Sequence, residues 1–127
     1  MNNSDLEKKI QVLVNSITYQ KGVVCSVDIL LGLGVLSKED YDSWRAGKIE
    51  YLEKVCKTNL HKLSFINNAL KSKANELKLE RSWNFYRKFG KGVTVKLRFS
   101  KSGNEKIEEA YATHYIDKQR IIELKKK

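Results

Sequence analysis

The sequence predicts an α+β domain: a helical N-terminal half, then a β-hairpin and a short C-terminal helix, in winged-helix-like order. Three observations predict it. Up to about residue 79, apolar side chains recur at spacings of three and four, in stretches separated by glycine or by capping residues. From Trp83 to Phe99 the period changes to two. The chain has 127 residues, 41% of them hydrophobic, which suits one domain with a modest core. We therefore expect a single domain over 1–127: mainly helical over 1–80, a hairpin over 82–100 and a helical segment over 104–124.

Each element has a local reason. Ser4 and Glu7 form an S-x-x-E capping box, and Leu6, Ile10, Leu13, Val14 and Ile17 follow at helical spacing. A helix over about 5–19 is expected, ended by Gly22. Ser26 can cap a short, almost wholly apolar helix from Val27 to Leu33, with Gly34 at its left-handed end. Ser37 and Asp40 start a third helix through Tyr41 and Trp44, stopped by Gly47. A short helix from Glu50 to Cys56 comes next. Thr58 or Asn59 caps the longest helix, about 59–79. Its seam is Leu60, Leu63, Ile66 or Asn67, Leu70, Ala74 and Leu77.

In the first expected strand Trp83, Phe85, Arg87 and Phe89 alternate with Asn84, Tyr86 and Lys88. In the second, Val93, Val95, Leu97 and Phe99 alternate with Thr94, Lys96, Arg98 and Ser100. Gly90-Lys91-Gly92 makes the turn. The aromatic set with Trp83 is expected inside, with Tyr86, Lys88, Lys96 and Arg98 outside. Lys101-Ser102-Gly103-Asn104 then turns and caps a helix through Ile107 and Tyr111. The last dozen residues read equally as helix or strand.

Charge is the strongest functional signal. Residues 57–101 carry twelve Lys and Arg against two acids, Glu76 and Glu80, and the whole chain has a formal net charge of +10. Residues 1–56 nearly balance. A basic field interleaved with aromatics is the footprint of a polyanion binder, with nucleic acid the leading partner and DNA ahead of RNA. In winged-helix order, Lys62, Lys71, Lys73 and Lys78 approach phosphates from the long helix. Arg87, Lys88, Lys91, Lys96, Arg98 and Lys101 do so from the wing and its exit, with Tyr86 displayed among them. Asn67 and Asn68 have the groups to read adenine edges, and Arg81 or Arg98 those to read guanine. Trp83 or Tyr86 could stack on an unpaired base. The alternative is an inhibitor of antitoxin or immunity type that binds an acidic protein partner.

Catalysis has little to build on. His61 and His114 are the only histidines. The weak enzymatic reading is a His114-dependent phosphodiesterase, with Glu108, Glu109, Tyr111 and Tyr115 nearby in sequence. No catalytic or metal site and no cofactor is expected. Cys25 and Cys56 lie in no metal-ligand spacing and read as free thiols. No apolar run approaches the ~20 residues of a membrane helix, so a cytoplasmic protein with no membrane partner is expected.

Two blocks of the sequence stand out. One runs from Asp40 through Tyr41, Asp42, Ser43, Trp44, Arg45 and Ala46 to Gly47, and on into Tyr51-Leu52-Glu53. The other runs from Leu97-Arg98-Phe99-Ser100-Lys101-Ser102-Gly103-Asn104 through Ile107 to Tyr115. Together with the intervening Gly90-Lys91-Gly92 they resemble a family of small uncharacterised bacterial proteins, over roughly residues 27–116. The resemblance implies a bacterial intracellular protein, and no activity or functional residue comes with it.

Overall fold

The computed structural model describes residues 2–83, 86–90 and 95–126. Among these residues are six α-helices and a three-stranded antiparallel sheet, with the N-terminal half helical. The α+β expectation holds at that level.

Helix α1 spans Asn3–Lys21. Its cap is Asn2, whose side chain accepts from the Asp5 amide at 2.9 Å, so Ser4 lies inside the first turn instead of at the cap. Leu6, Ile10, Val14 and Thr18 form its buried stripe. Gly22 ends it at φ 76°, with its amide donating to the Thr18 carbonyl. An added Cβ at Gly22 would collide with the Ile121 side chain, so glycine is required there for space as well as conformation. Strand β1, Val23–Cys25, follows at once and was not expected. Helix α2, Ser26–Leu33, is the central apolar helix. Its cap is Cys25, not Ser26: the Asp28 carboxylate accepts from the Cys25 amide at 3.2 Å.

Helix α3, Lys38–Arg45, is capped by Ser37 as expected, with the Asp40 amide donating to Oγ at 3.1 Å. The short helix expected over 50–56 is a 3₁₀ turn, Leu52–Val55. Helix α4, Leu60–Glu76, takes Asn59 as its cap. Its buried seam is Leu63, Ile66, Leu70 and Ala74; Leu60 and Leu77, expected in that seam, are exposed. The helix stops three residues early because Lys78 takes φ 58°, while the Leu79 amide returns to the Ala74 carbonyl. A lysine in left-handed backbone carries a strain that glycine would not. Lys78→Gly is expected to raise stability by about 0.5–1 kcal/mol in urea unfolding.

The sheet has strand order β1-β3-β2. Strand β2 is Glu80–Trp83, helix α5 is Glu105–Ala112, strand β3 is Thr113–Ile116 and helix α6 is Lys118–Lys125. The expected C-terminal helical segment is therefore divided by the central strand of the sheet. The last dozen residues are mostly α6.

Of the hairpin expected over 82–100, the described residues show one isolated antiparallel bridge. Arg87 pairs with Lys96, the Lys88 amide donates to Val95 at 2.9 Å and the Leu97 amide to Tyr86 at 2.8 Å. Trp83 instead belongs to β2 and pairs with Thr113. In the second strand Leu97 and Phe99 are buried and Lys96 and Arg98 exposed, as expected, whereas Val95, expected inside, is 46% exposed and Ser100, expected outside, is buried. In the first no alternation of burial is seen among the described residues: Tyr86 turns inward, Arg87, Lys88 and Phe89 are all exposed, and Trp83, on β2, is 61% exposed. Tyr86 is drawn inward by its contacts with the Trp44 and Phe99 rings. Asn84, Phe85 and the turn residues Lys91, Gly92, Val93 and Thr94 lie outside the described residues.

Candidate nucleic-acid interface

Two faces of α4 do different work. Its apolar seam and the stems of Lys62 and Lys73 turn toward the body of the protein. Lys62 Nζ contacts Asn3 Oδ1 on α1, and Lys73, only 14% exposed, pairs with Glu76 at 3.3 Å. The other face carries Leu60, Ser64, Asn67, Asn68 and Lys71, and it opens onto a groove whose far wall is α5 and the β2–β3 edge.

The groove consists of two adjoining cavities of about 710 and 660 Å³ that share Asn67, Asn68, Lys106 and Ala110. Lys101 and Lys106 border the first; Lys71, Arg81 and Lys106 border the second, with Trp83 beside them. Strand alternation explains the β2 pair. Arg81 stands opposite Tyr115 and Trp83 opposite Thr113, so both point to the sheet face on which Tyr115 and Val24 are buried. Being on the edge strand, Arg81 and Trp83 reach past that core into the groove.

The groove wall is fixed by buried polar contacts. Glu108, 8% exposed, accepts from the Phe99 amide at 2.9 Å, the Ser100 amide at 2.7 Å and Ser100 Oγ at 2.6 Å. These bonds hold the 99–103 loop against α5. Gly103 at φ 68° turns the chain, and Asn104 caps α5 by accepting from the Lys106 and Ile107 amides. Glu53, an acid on the groove, is committed to structure: its carboxylate accepts from the Lys101 amide at 3.2 Å and from Tyr111 Oη at 2.8 Å. Burial, and then the Glu53 carboxylate, hold the Tyr111 phenol well above its usual range, so it stays a donor. Asn67 is likewise engaged, accepting from Ser26 Oγ, whereas Asn68 is exposed and faces both cavities.

A second polar cluster lies on the opposite face of the sheet. Cys25 and His114 are register partners. Tyr86 Oη is 3.3 Å from Cys25 Sγ and 3.5 Å from His114 Nε2, and the imidazole stacks on the Tyr86 ring. His114 Nδ1 is 3.0 Å from the Ala112 carbonyl. Burial, followed by the nearby Asp28, pushes the Cys25 thiol up to about 11, so it remains protonated at neutral pH. Both ring nitrogens of His114 thus have protein partners. Both cysteines are free, Cys25 buried and Cys56 partly so. Among the described residues no group of three or more His, Cys, Asp or Glu side chains could hold a metal ion. Nor is any described helix long and apolar enough to cross a membrane.

The sequence-predicted contacts divide accordingly. Lys71 and Lys101 border the groove. Lys62 is drawn toward α1, Lys73 is paired with Glu76 on its own helix, and Lys78 occupies the turn after α4. Arg87, Lys88 and Lys96 are exposed on the hairpin. Arg98 lies over the Tyr51 ring at 5.6 Å. Tyr86, expected on the outer face, is instead part of the aromatic core, because Trp44, Phe99 and His114 surround it. Lys91 lies outside the described residues. Lys106 was missed: it falls beyond the basic segment and joins it only through the packing of α5. No protein-family profile, curated protein or solved structure matches this chain.

Proposed function

We propose that the protein binds nucleic acid, chiefly through the phosphate backbone, in the groove between α4 and α5. One observation carries the reading: Lys71, Arg81, Lys101 and Lys106 border one continuous groove that also holds an exposed tryptophan. Two carboxylates, Glu53 and Glu109, face those four cations, and Glu53 also accepts hydrogen bonds from the Lys101 amide and Tyr111 Oη. Surface charges normally mix signs, so such a concentration favours a polyanion. The finer winged-helix reading assigns α4 to the groove side of the complex and the hairpin, through Arg87, Lys88 and Lys96, to further phosphate contacts.

The test is an oligonucleotide titration, with random-sequence single and double strands, at about 50 and 200 mM salt. Four phosphate contacts would weaken affinity roughly a hundredfold across that range, and the hairpin contacts would steepen the slope further. No binding of either form at 50 mM salt would exclude the proposal. Recovery of one stoichiometric acidic protein partner, together with that failure, would support the inhibitor reading.

A further inference from the structure

We propose that the groove selects an unpaired strand, with Trp83 as the platform on which a base stacks. This rests on the nucleic-acid reading above and adds to it a class of ligand. The chain has two tryptophans. Trp44 is fully buried, whereas Trp83 is 61% exposed on an edge strand. Arg81 shares its face two residues away, and Lys71 borders the same cavity from α4. A cation beside an accessible indole is the arrangement that holds a base by its face and the adjoining phosphate by charge.

The rest of the groove suits the same ligand. At the end away from Trp83, Leu60 and Ile107 are 63% and 42% exposed and line the first cavity together with Lys101 and Lys106. Exposed apolar side chains and cations in one cavity suit a ligand that carries both bases and phosphates. Asn68, between the two ends, offers an amide to a base edge. From Leu60 to Lys71 the helix rises about 16 Å, the length of about five stacked nucleotides at ~3.4 Å each. A duplex keeps its base faces stacked internally and cannot offer them to Trp83.

The experiment compares wild type, Trp83→Ala and Trp83→Phe for binding to a fluorescein-labelled twelve-residue oligothymidine and to a random-sequence duplex at about 50 mM salt. Wild type should bind the single strand more tightly, with a change in intrinsic fluorescence that Trp83→Ala abolishes. Trp83→Ala should weaken single-strand binding roughly 5- to 100-fold and leave duplex binding nearly unchanged. Trp83→Phe should recover most of the loss, and far-UV circular dichroism should match wild type throughout. Single-strand binding that is unaffected by Trp83→Ala, or tighter binding of the duplex, would overturn the stacking inference while leaving the phosphate reading intact. Failure of wild type to bind either oligonucleotide would overturn both.

Discussion

Trp44→Ala is expected to be the most destabilising single substitution in the chain. The indole is fully buried at the centre of an aromatic cluster, with ring centroids of Phe99 at 5.2 Å, Tyr86 at 5.5 Å and Tyr41 at 6.1 Å. Its Nε1 donates to the Arg98 carbonyl at 2.9 Å. Truncation opens a large cavity, worth about 3–5 kcal/mol, and strands the carbonyl at a further ~1 kcal/mol. A domain of this size is stable by about 5–15 kcal/mol, so the variant should sit close to its unfolding midpoint. Trp44→Phe retains most of the packing and should lose less than half as much. Urea unfolding of both variants checks this; a loss below about 1 kcal/mol for Trp44→Ala would mean the cluster does not hold the hairpin to α3.

The largest expected effect on binding is that of Lys71→Glu with Arg81→Glu. The two side chains border the same cavity from opposite walls, one on α4 and one on β2. Both residues are exposed, so their removal opens no cavity and stability should change little. Loss of two phosphate contacts at about 0.1 M salt removes roughly 50-fold in affinity through counterion release, and the introduced carboxylates add repulsion. An overall loss of about a hundredfold or more is expected, with a shallower salt slope.

Local signals in the chain announced the helices well and the sheet poorly. Ser37, Asn59, Gly22 and Gly34 stand where capping chemistry puts them, because caps are set by neighbours in sequence. Strands β1 and β3 are three and four residues long, too short to declare an alternation, and they owe their existence to pairing across most of the chain. The inward turn of Tyr86 has the same origin: it is set by ring contacts with Trp44 and His114, which are distant in sequence.

The site was legible in part for the same reason. Lys71, Arg81, Trp83 and Asn68 lie in the basic segment, but the α5 wall that gathers them into a groove with Lys106 comes from the other end of the chain. The segments 40–53 and 97–115 account for much of this assembly. Arg45 lies over the rings of Tyr86 at 5.1 Å and Phe89 at 4.1 Å, and its carbonyl accepts the Phe89 amide. Glu53 joins the 3₁₀ turn to Lys101 and Tyr111. These segments are thus the structural frame on which the hairpin and the groove wall rest.

The central claim is that the groove, and not net charge alone, binds nucleic acid. It is tested most directly by two double reversals that change net charge equally: Lys71→Glu with Arg81→Glu in the groove, and Lys8→Glu with Lys9→Glu on exposed positions of α1. Titrated against the same oligonucleotide at about 100 mM salt, the groove variant should lose about a hundredfold and the α1 variant less than about fivefold. Equal losses in the two variants would contradict the claim.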